Sequence, residues 1–250
     1  MGRNRRDSAR KRMAELRARE AARAHRRRAL ATVLGALVVI AVTILAVVLL
    51  RGGENSRSGY RGSLAPLTRQ ADGSVVMARP GVSGPVLEIY EDFQCPACKS
   101  MEEATGKTVK ELAAAGEAKV VYRPFWLFRN SPEPTRGNSL RALNASLCAP
   151  ADTWIAYHDR LFAEQGPENS PGFRDEDLIS WARQVGIGDG GFASCVTGVR
   201  KSAQIDQADA AATKAGVQST PWVTLNGRRL DQKTVFTPDG LRRAVREVAR

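Results

Sequence analysis

The longest apolar run of the chain lies near its N-terminus. Residues 29–50 carry no charge and are interrupted only by two threonines and one glycine. A helix that crosses a bilayer needs about 20 residues, so this run predicts one N-terminal transmembrane helix. The alternative is a cleaved signal peptide, whose apolar region is usually shorter, at about 7–15 residues, and precedes a small-residue cleavage site. Here Leu49 and Leu50 are followed directly by Arg51, which favours an uncleaved anchor.

After this run the pattern changes from a polar segment to alternating strands and helices. Residues 51–73 are rich in Gly, Ser and Arg and predict a flexible linker. Apolar runs at 74–78 and 86–91 predict two strands, and a helical pattern follows them and ends at Gly116. A third strand is predicted at 119–124. Because a helix separates it from the second strand, the crossover makes these two strands parallel.

The pattern between residues 135 and 216 is helical. Apolar positions at helical spacing predict five helices, near residues 139–147, 153–165, 175–185, 189–200 and 202–215. Strand pattern then returns at 222–225 and 228–230. Between these two strands, Asn226-Gly227 is a strong signal for a tight hairpin turn.

A final helical pattern starts at Pro238, with Thr237 as its predicted N-cap. The order of elements is therefore strand, strand, helix, strand, a block of helices, strand, strand and helix. This order predicts an α/β fold for residues 74–250, with an α-helical domain inserted between the two halves of one sheet.

Positive charge is concentrated in the N-terminal tail. The chain has 38 Lys and Arg and 26 Asp and Glu residues, for a net charge of +12. Residues 1–28 contain twelve of the basic and three of the acidic residues, which leaves 26 and 23 for the remainder. The folded part is thus nearly balanced, and the charge does not indicate a nucleic-acid partner. By the positive-inside rule, the tail lies in the cytoplasm and the domain lies outside, on a single-pass cell-membrane protein.

Two closely spaced cysteines, Cys95 and Cys98, follow the second predicted strand. Pro96 suits the first position of a helix, so Cys95 lies at the helix N-terminus. Unpaired N–H groups and the helix dipole at this end favour a thiolate, which is the nucleophile of disulfide exchange. Cys98 lies one turn further along and is placed to attack a mixed disulfide at Cys95.

In combination, four stretches resemble the DsbA-like branch of the thioredoxin superfamily. The stretches are Glu-Asp-Phe-Gln-Cys-Pro-Ala-Cys at 91–98, Val-Tyr-Arg-Pro-Phe at 121–125, the segment 154–162, and Ala-Gly-Val-Gln-Ser-Thr-Pro at 215–221. The resemblance covers about residues 74–250 and implies a thioredoxin fold with an inserted α-helical domain. It also implies a cis proline at Pro221 beside the cysteines. The backbone of Thr220 would then pair with an extended substrate segment.

The dipeptide between the cysteines departs from the family pattern. Pro96 and Ala97 stand where the best-known members have Pro-His. A histidine there adds positive charge near the thiolate and makes the disulfide more oxidising. Its absence predicts a Cys95 pKa that is lowered less, and a milder oxidant.

The other two cysteines, Cys148 and Cys195, fall in separate predicted helices. Outside the cytoplasm an even set of four cysteines favours disulfides, and pairing these two leaves the Cys95–Cys98 pair intact. We therefore predict a structural bridge, with two buried free thiols as the alternative. A zinc site is the main non-redox alternative, but structural zinc usually takes two close ligand pairs. We expect neither a metal nor a cofactor.

Five further residues allow two interpretations. His158 could act as a general base, but its pattern favours a helix residue on a partly buried face. Glu91 and Asp92 favour a strand end that faces solvent, and the alternative is a buried carboxylate that assists proton transfer from the second cysteine. Trp126 and Trp222 are either core residues or an apolar rim that contacts unfolded substrates.

These features predict a membrane-anchored oxidoreductase that introduces disulfides into exported proteins. Its partners would be reduced or unfolded exported chains, and the resemblance implies a membrane quinone-linked thiol oxidase that restores the disulfide. No dimerisation segment is evident, so we expect a monomer. A reductase or isomerase would use the same residues at a lower potential. A chaperone-like holding module without turnover is the alternative of another class, and the intact Cys-x-x-Cys argues against it.

Overall fold

The computed structural model describes residue 60 and residues 62–188 and 190–249. The predicted transmembrane helix at 29–50 and the basic tail at 1–28 lie outside these residues. Within the described ranges, no helix is both long enough and apolar enough to cross a membrane. The anchor therefore stays a prediction from the sequence.

A six-stranded mixed sheet forms the centre of the fold. In chain order its strands are β1 (Leu67–Arg69), β2 (Val75–Met77), β3 (Val86–Glu91), β4 (Lys119–Pro124), β5 (Trp222–Leu225) and β6 (Arg228–Arg229). Across the sheet they lie in the order β1-β2-β4-β3-β5-β6. The pairing of β3 with β4 is parallel, as the crossover argument predicts, and the other pairs of this sheet are antiparallel.

Strand β3 lies inside the sheet and leads to the two cysteines. It pairs with β4 on one side and with β5 on the other. Leu87 and Ile89 are buried in the main core, whereas Glu88 between them is only half-buried, so every second residue of this part of the strand faces the core. The strand ends at Glu91, so the rigid sheet fixes the position of the residues that follow it.

Strand β1 corrects the predicted linker. Leu67–Arg69 pairs with β2, and Ala65 before it is buried. The folded part therefore begins ahead of residue 74, and the prediction of a linker over 51–73 is wrong at its C-terminal end. A three-residue edge strand leaves too short a pattern to detect from hydrophobic spacing.

The helix that starts at the cysteines is interrupted. It consists of α1 (Pro96–Met101), a π-helical turn (Glu102–Gly106) and α2 (Lys107–Ala115). Gly116 follows in the left-handed conformation, with φ at 76°, as a predicted C-cap should. The π-helical turn was not predicted, because a single wide turn leaves the hydrophobic spacing almost unchanged.

Five helices occupy the predicted insertion over 135–216. They are α3 (Thr135–Cys148), α4 (Trp154–Ala163), α5 (Asp175–Gln184), α6 (Phe192–Thr197) and α7 (Ser202–Lys214), preceded by a 3-10 helix at Leu127–Asn130. Trp154, Tyr157 and Leu161 of α4 are fully buried, which accounts for its helical pattern. The helix α6 is shorter than the predicted range of 189–200.

The C-terminal part contains a short helix that the sequence did not reveal. This helix, α8 (Gln232–Val235), is capped by the side chain of Asp231. The last helix, α9 (Pro238–Val248), begins where predicted. However, the Thr237 hydroxyl donates to the Lys233 carbonyl at 2.7 Å. Thr237 is the N-cap residue of α9, as predicted, but its side chain makes no capping bond to this helix.

A disulfide connects two helices of the insertion. Cys148, the last residue of α3, is bonded to Cys195 of α6, and their Cα atoms are 6.0 Å apart. The Asn144 side chain supports the same contact by donating to the carbonyls of Cys195 and Val196, at 3.3 and 3.1 Å. The bridge joins positions 47 residues apart and thus closes a long loop.

Replacing both Cys148 and Cys195 by serine should lower the free energy of unfolding by up to about 4 kcal/mol. The bridge restricts the unfolded chain, and the chain-entropy model gives a value of this size for a loop of this length. Urea unfolding followed by circular dichroism measures the change, with Ser194→Ala as a control at an exposed neighbouring position. An unchanged unfolding midpoint in the double variant would contradict a stabilising role.

Candidate active site

The two closely spaced cysteines differ in their access to solvent. Cys95 is the N-cap residue of α1, and Cys98 lies one turn inside the helix. Both are free thiols. Cys95 keeps 6% of its surface exposed, whereas Cys98 has none. Because Pro96 and Ala97 between them are exposed, a partner chain can approach Cys95 directly and reaches Cys98 only through it.

The surroundings also separate the acidities of the two thiols. A hydrogen bond from the Cys98 thiol is the largest contribution that lowers the pKa of Cys95 to about 6. Thr220 and the backbone N–H groups of Cys98 and Ala97 act in the same direction, against the effect of burial. Burial raises the pKa of Cys98 well above its ordinary value. At neutral pH, Cys95 is therefore mostly thiolate and Cys98 is a thiol.

The fold brings Thr220 and Pro221 to the cysteines from far along the chain. The Sγ of Cys95 lies 3.5 Å from the carbonyl oxygen of Thr220, although 125 residues separate them. The Thr220–Pro221 peptide bond is cis and directly precedes β5. Both residues are half-buried. The backbone that the resemblance assigns to substrate binding thus lies beside the Cys95 sulfur.

Asp92 is buried beside the cysteines, so the prediction that it faces solvent is wrong. Its carboxylate accepts hydrogen bonds from the backbone N–H of Gln94 at 2.8 Å, from the backbone N–H of Leu127 at 3.0 Å, and from the Ser139 hydroxyl. Burial raises the pKa of Asp92 to about 7, and the charge of Cys95 also raises it. A carboxyl group that titrates near neutral pH can give or take a proton during thiol exchange.

Glu91 was also predicted to face solvent, and it is instead fully buried against His158. Its Oε1 lies 2.9 Å from the Nε2 of His158, and both side chains are 0% exposed. Burial opposes protonation of the imidazole, but Glu91 and Asp159 outweigh it and raise the pKa of His158 to about 10. Burial raises the pKa of Glu91. His158 is a helix residue, as predicted, but it is fully buried and paired with Glu91, whereas a partly buried face was expected.

The ion pair continues into a larger group of buried charges. The Nζ of Lys110 lies 2.9 Å from Asp159 and 3.5 Å from Glu102, and its side chain is only 4% exposed. Asp159 in turn contacts the Nδ1 of His158 at 3.1 Å. We call Glu91, Glu102, Lys110, His158 and Asp159 the buried charge network.

Part of the buried charge network has the donor types of a metal site. Carboxylate oxygens of Glu91 and Glu102 and a ring nitrogen of His158 lie within 4.8 Å of one another. However, Lys110 already supplies positive charge to Glu102, and His158 is already paired with Glu91. The arrangement fits an ion-pair network better than a metal site. The zinc alternative also fails, because two of the four cysteines are used in the disulfide.

The two tryptophans considered as a substrate rim are half-buried and partly covered. The guanidinium of Arg129 lies 4.9 Å from the ring centre of Trp126, and that of Arg229 lies 3.9 Å from the ring centre of Trp222. Both contacts are in the range of cation–π interactions. A substrate that reached these rings would meet an arginine as well as an apolar surface.

One residue of the site, Gln165, was missed by the sequence analysis. It follows α4 and is 8% exposed. Its side-chain Nε2 donates to the carbonyl oxygens of Phe93 and Cys95, at 2.6 and 3.0 Å. A glutamine just after a helix has no local pattern that marks it, so only the three-dimensional contact identifies it.

Comparisons with known proteins identify the family of the chain. Residues 83–247 match the thioredoxin family. No curated protein matches the chain significantly.

The chain is similar to many solved structures, including the following three. The reduced disulfide bond oxidoreductase DsbG from Mycobacterium tuberculosis is 27% identical, with a TM-score of 0.59 over 73% of this chain and 86% of that one. DsbA from the same organism is 26% identical, with a TM-score of 0.59 over 75% of this chain and 93% of that one. MdbA, a thiol-disulfide oxidoreductase from Actinomyces oris, is 19% identical, with a TM-score of 0.61 over 77% and 96%. This last likeness concerns the fold alone.

Proposed function

Because the chain belongs to the thioredoxin family and is a protein disulfide oxidoreductase, we propose that it introduces disulfides into exported proteins. In this proposal Cys95 forms the mixed disulfide with substrate and Cys98 is the resolving cysteine. One observation carries it: Cys95, with a pKa lowered to about 6, keeps a small exposed surface in front of a fully buried Cys98 and lies beside the Thr220 carbonyl. A redox pair needs this division of roles.

The proposed reaction has two exchange steps. A substrate thiolate attacks the Cys95 sulfur of the oxidised protein, the Cys95–Cys98 bond breaks, and Cys98 leaves and takes up a proton. A second substrate thiolate then attacks the substrate sulfur of the mixed disulfide and releases Cys95 as a thiolate. The substrate loses two electrons and the cysteine pair gains two. Asp92 can supply the proton to Cys98, since its carboxyl group titrates near pH 7.

Thiolate stability supports the oxidising direction. A leaving thiol with a low pKa departs faster, and a stable reduced form makes the disulfide a better oxidant. The pKa of Cys95, at about 6, is lower than that of an ordinary thiol but remains above the ~3.5 of the strongest oxidant. A pKa between these two values supports the milder oxidant that we expect from Ala97.

We further propose that residues 29–50 anchor the protein in the cell membrane as a monomer, with the domain outside the cytoplasm. The support is the uncharged 22-residue run after a basic tail. The pair would be returned to its disulfide form by a quinone-linked thiol oxidase in the same membrane, as the family resemblance implies. Reduced exported chains would bind along the Thr220 and Pro221 backbone.

The reduction potential of the Cys95–Cys98 pair tests the direction. The full chain in detergent is equilibrated with glutathione buffers, and the oxidised fraction of the pair is measured by alkylation and mass spectrometry. We expect a value of about −120 to −180 mV, the range of oxidants and isomerases. A value near about −270 mV, like that of thioredoxin, would contradict disulfide donation and favour a reductase. A normal potential without any oxidation of reduced substrate would favour a holding module.

A further inference from the structure

The segment 163–166, which begins at the last residue of α4, lies against residues 93–99, which include both redox cysteines. Two side chains of residues 93–99 donate hydrogen bonds to the backbone of the segment. The Nζ of Lys99 reaches two carbonyl oxygens of the segment, at 3.4 and 3.2 Å, and the Nε2 of Gln94 reaches a third at 3.4 Å. The segment belongs to the inserted domain, so these bonds connect the insertion directly to the redox pair.

Gln165 donates hydrogen bonds in the opposite direction, from the segment to the backbone that precedes α1. A glutamine amide has two N–H donors, and both are used here, on the carbonyls of Phe93 and Cys95. The two distances, 2.6 and 3.0 Å, are those of good hydrogen bonds. The side chain is nearly buried, so no solvent competes strongly for these donors.

The carbonyl of Cys95 is thereby held from two sides. It accepts the first backbone bonds of α1, from the N–H groups of Cys98 at 3.1 Å and Lys99 at 3.2 Å. Gln165 adds a bond from outside the helix. Because the thiolate is stabilised by the N–H groups of Ala97 and Cys98, it depends on the orientation of this first turn.

We propose that Gln165 is a positioning residue whose two amide N–H groups fix the backbone of Phe93 and Cys95 at the start of α1, and so make the inserted domain a determinant of Cys95 reactivity. The inference rests on the proposed role of Cys95 as the cysteine that forms the mixed disulfide. Gln165 does not touch the reacting sulfur and acts only through the backbone that carries it. If the role of Gln165 were only structural, its replacement would change the stability of the fold without changing the pKa of the Cys95 thiol.

The test measures the Cys95 pKa in the full-length reduced chain, from the pH dependence of its alkylation rate by iodoacetamide, read at the Cys95 peptide by mass spectrometry. Gln165→Met keeps the length of the side chain and removes both donors. We expect it to raise the pKa by about 0.5–1 unit, the equivalent of one ordinary hydrogen bond. Gln165→Glu should raise it further, since a carboxylate would face two carbonyl oxygens.

Two variants serve as controls. Gln184→Met removes an exposed glutamine that accepts a hydrogen bond from Arg160 of α4. This bond does not involve the residues around Cys95, so the pKa of Cys95 should not change. Gln165→Lys keeps donors at the position and should hold the pKa of Cys95 at or below the value of the unmodified chain.

Two results would overturn the inference. One is an unchanged Cys95 pKa in the folded Gln165→Met variant, and the other is the same rise in Gln165→Lys as in Gln165→Met. If the methionine variant folds poorly, Gln165→Glu takes its place in the second comparison, and an equal rise in Gln165→Lys and Gln165→Glu would overturn the inference. A chain that oxidises no thiols but shows the expected pKa shifts would refute the proposed function and leave this inference standing.

Discussion

Cys95→Ser should reduce thiol oxidation to the uncatalysed level, a loss of at least about 10³-fold, whereas Cys98→Ser should trap substrate. Serine cannot form the mixed disulfide, so the first variant has no covalent step. The second variant cannot form the Cys95–Cys98 disulfide and therefore cannot oxidise thiols. Its Cys95 thiolate can still attack a substrate disulfide and release one substrate thiolate, and the resulting mixed disulfide persists because the resolving thiol of Cys98, which is buried in the unmodified chain, is missing. Oxidation of a reduced test protein is followed by thiol titration, and trapped complexes are counted on non-reducing gels.

The bridge variant Cys148→Ser/Cys195→Ser is the matched control, because it removes two cysteines without touching the redox pair. It should retain oxidation at temperatures where it is folded. Substantial oxidation by Cys95→Ser, or trapping that depends on Cys148, would show that Cys95 and Cys98 do not carry the reaction. Substrate binding that persists in Cys95→Ser would separate recognition by Thr220 and Pro221 from the chemistry.

Lys110→Met should lower the free energy of unfolding by about 3–5 kcal/mol, the range measured when one member of a buried ion pair is removed. Methionine fills similar space but leaves Glu102 without its cation and Asp159 with His158 alone, and the side chain of Lys110 is only 4% exposed. Guanidinium unfolding followed by fluorescence measures the loss.

Lys107→Met provides the contrast on the same helix. Its side chain is 77% exposed and lies 3.7 Å from Glu111, so its ion pair is screened by solvent. We expect a change of less than about 0.5 kcal/mol there. Equal effects of the two lysine variants would show that the buried charge network does not depend on Lys110. Recovery of stability in Lys110→Met/Glu102→Gln would support the charge argument.

Local pattern was sufficient for much of the fold. The apolar run of β3, the proline after Cys95 and the glycine at 116 each report on their own few residues, and the structure has the strand, the helix start and the helix end where these signals lie. The parallel pairing of β3 and β4 also followed, because crossover geometry depends only on element order.

The chemistry around the cysteines was less predictable, because distant residues determine it. Glu91 and Asp92 end a strand, a position that often faces solvent, yet residues of the insertion such as Ser139 and His158 cover them. Gln165 likewise contacts Cys95 although the two residues are 70 positions apart in the sequence. No spacing rule within one element contains this information.

The position of β5 has a consequence for how the protein is made. β5 pairs with β3, and the residue that contacts Cys95 directly precedes it. During synthesis both redox cysteines therefore emerge long before the last part of their own pocket exists. Until β5 has been synthesised, Cys95 lacks the contribution of Thr220 to its lowered pKa. The nascent chain thus carries its reactive cysteine with an incomplete set of stabilising contacts, and the thiolate gains the last of them only when β5 pairs with β3.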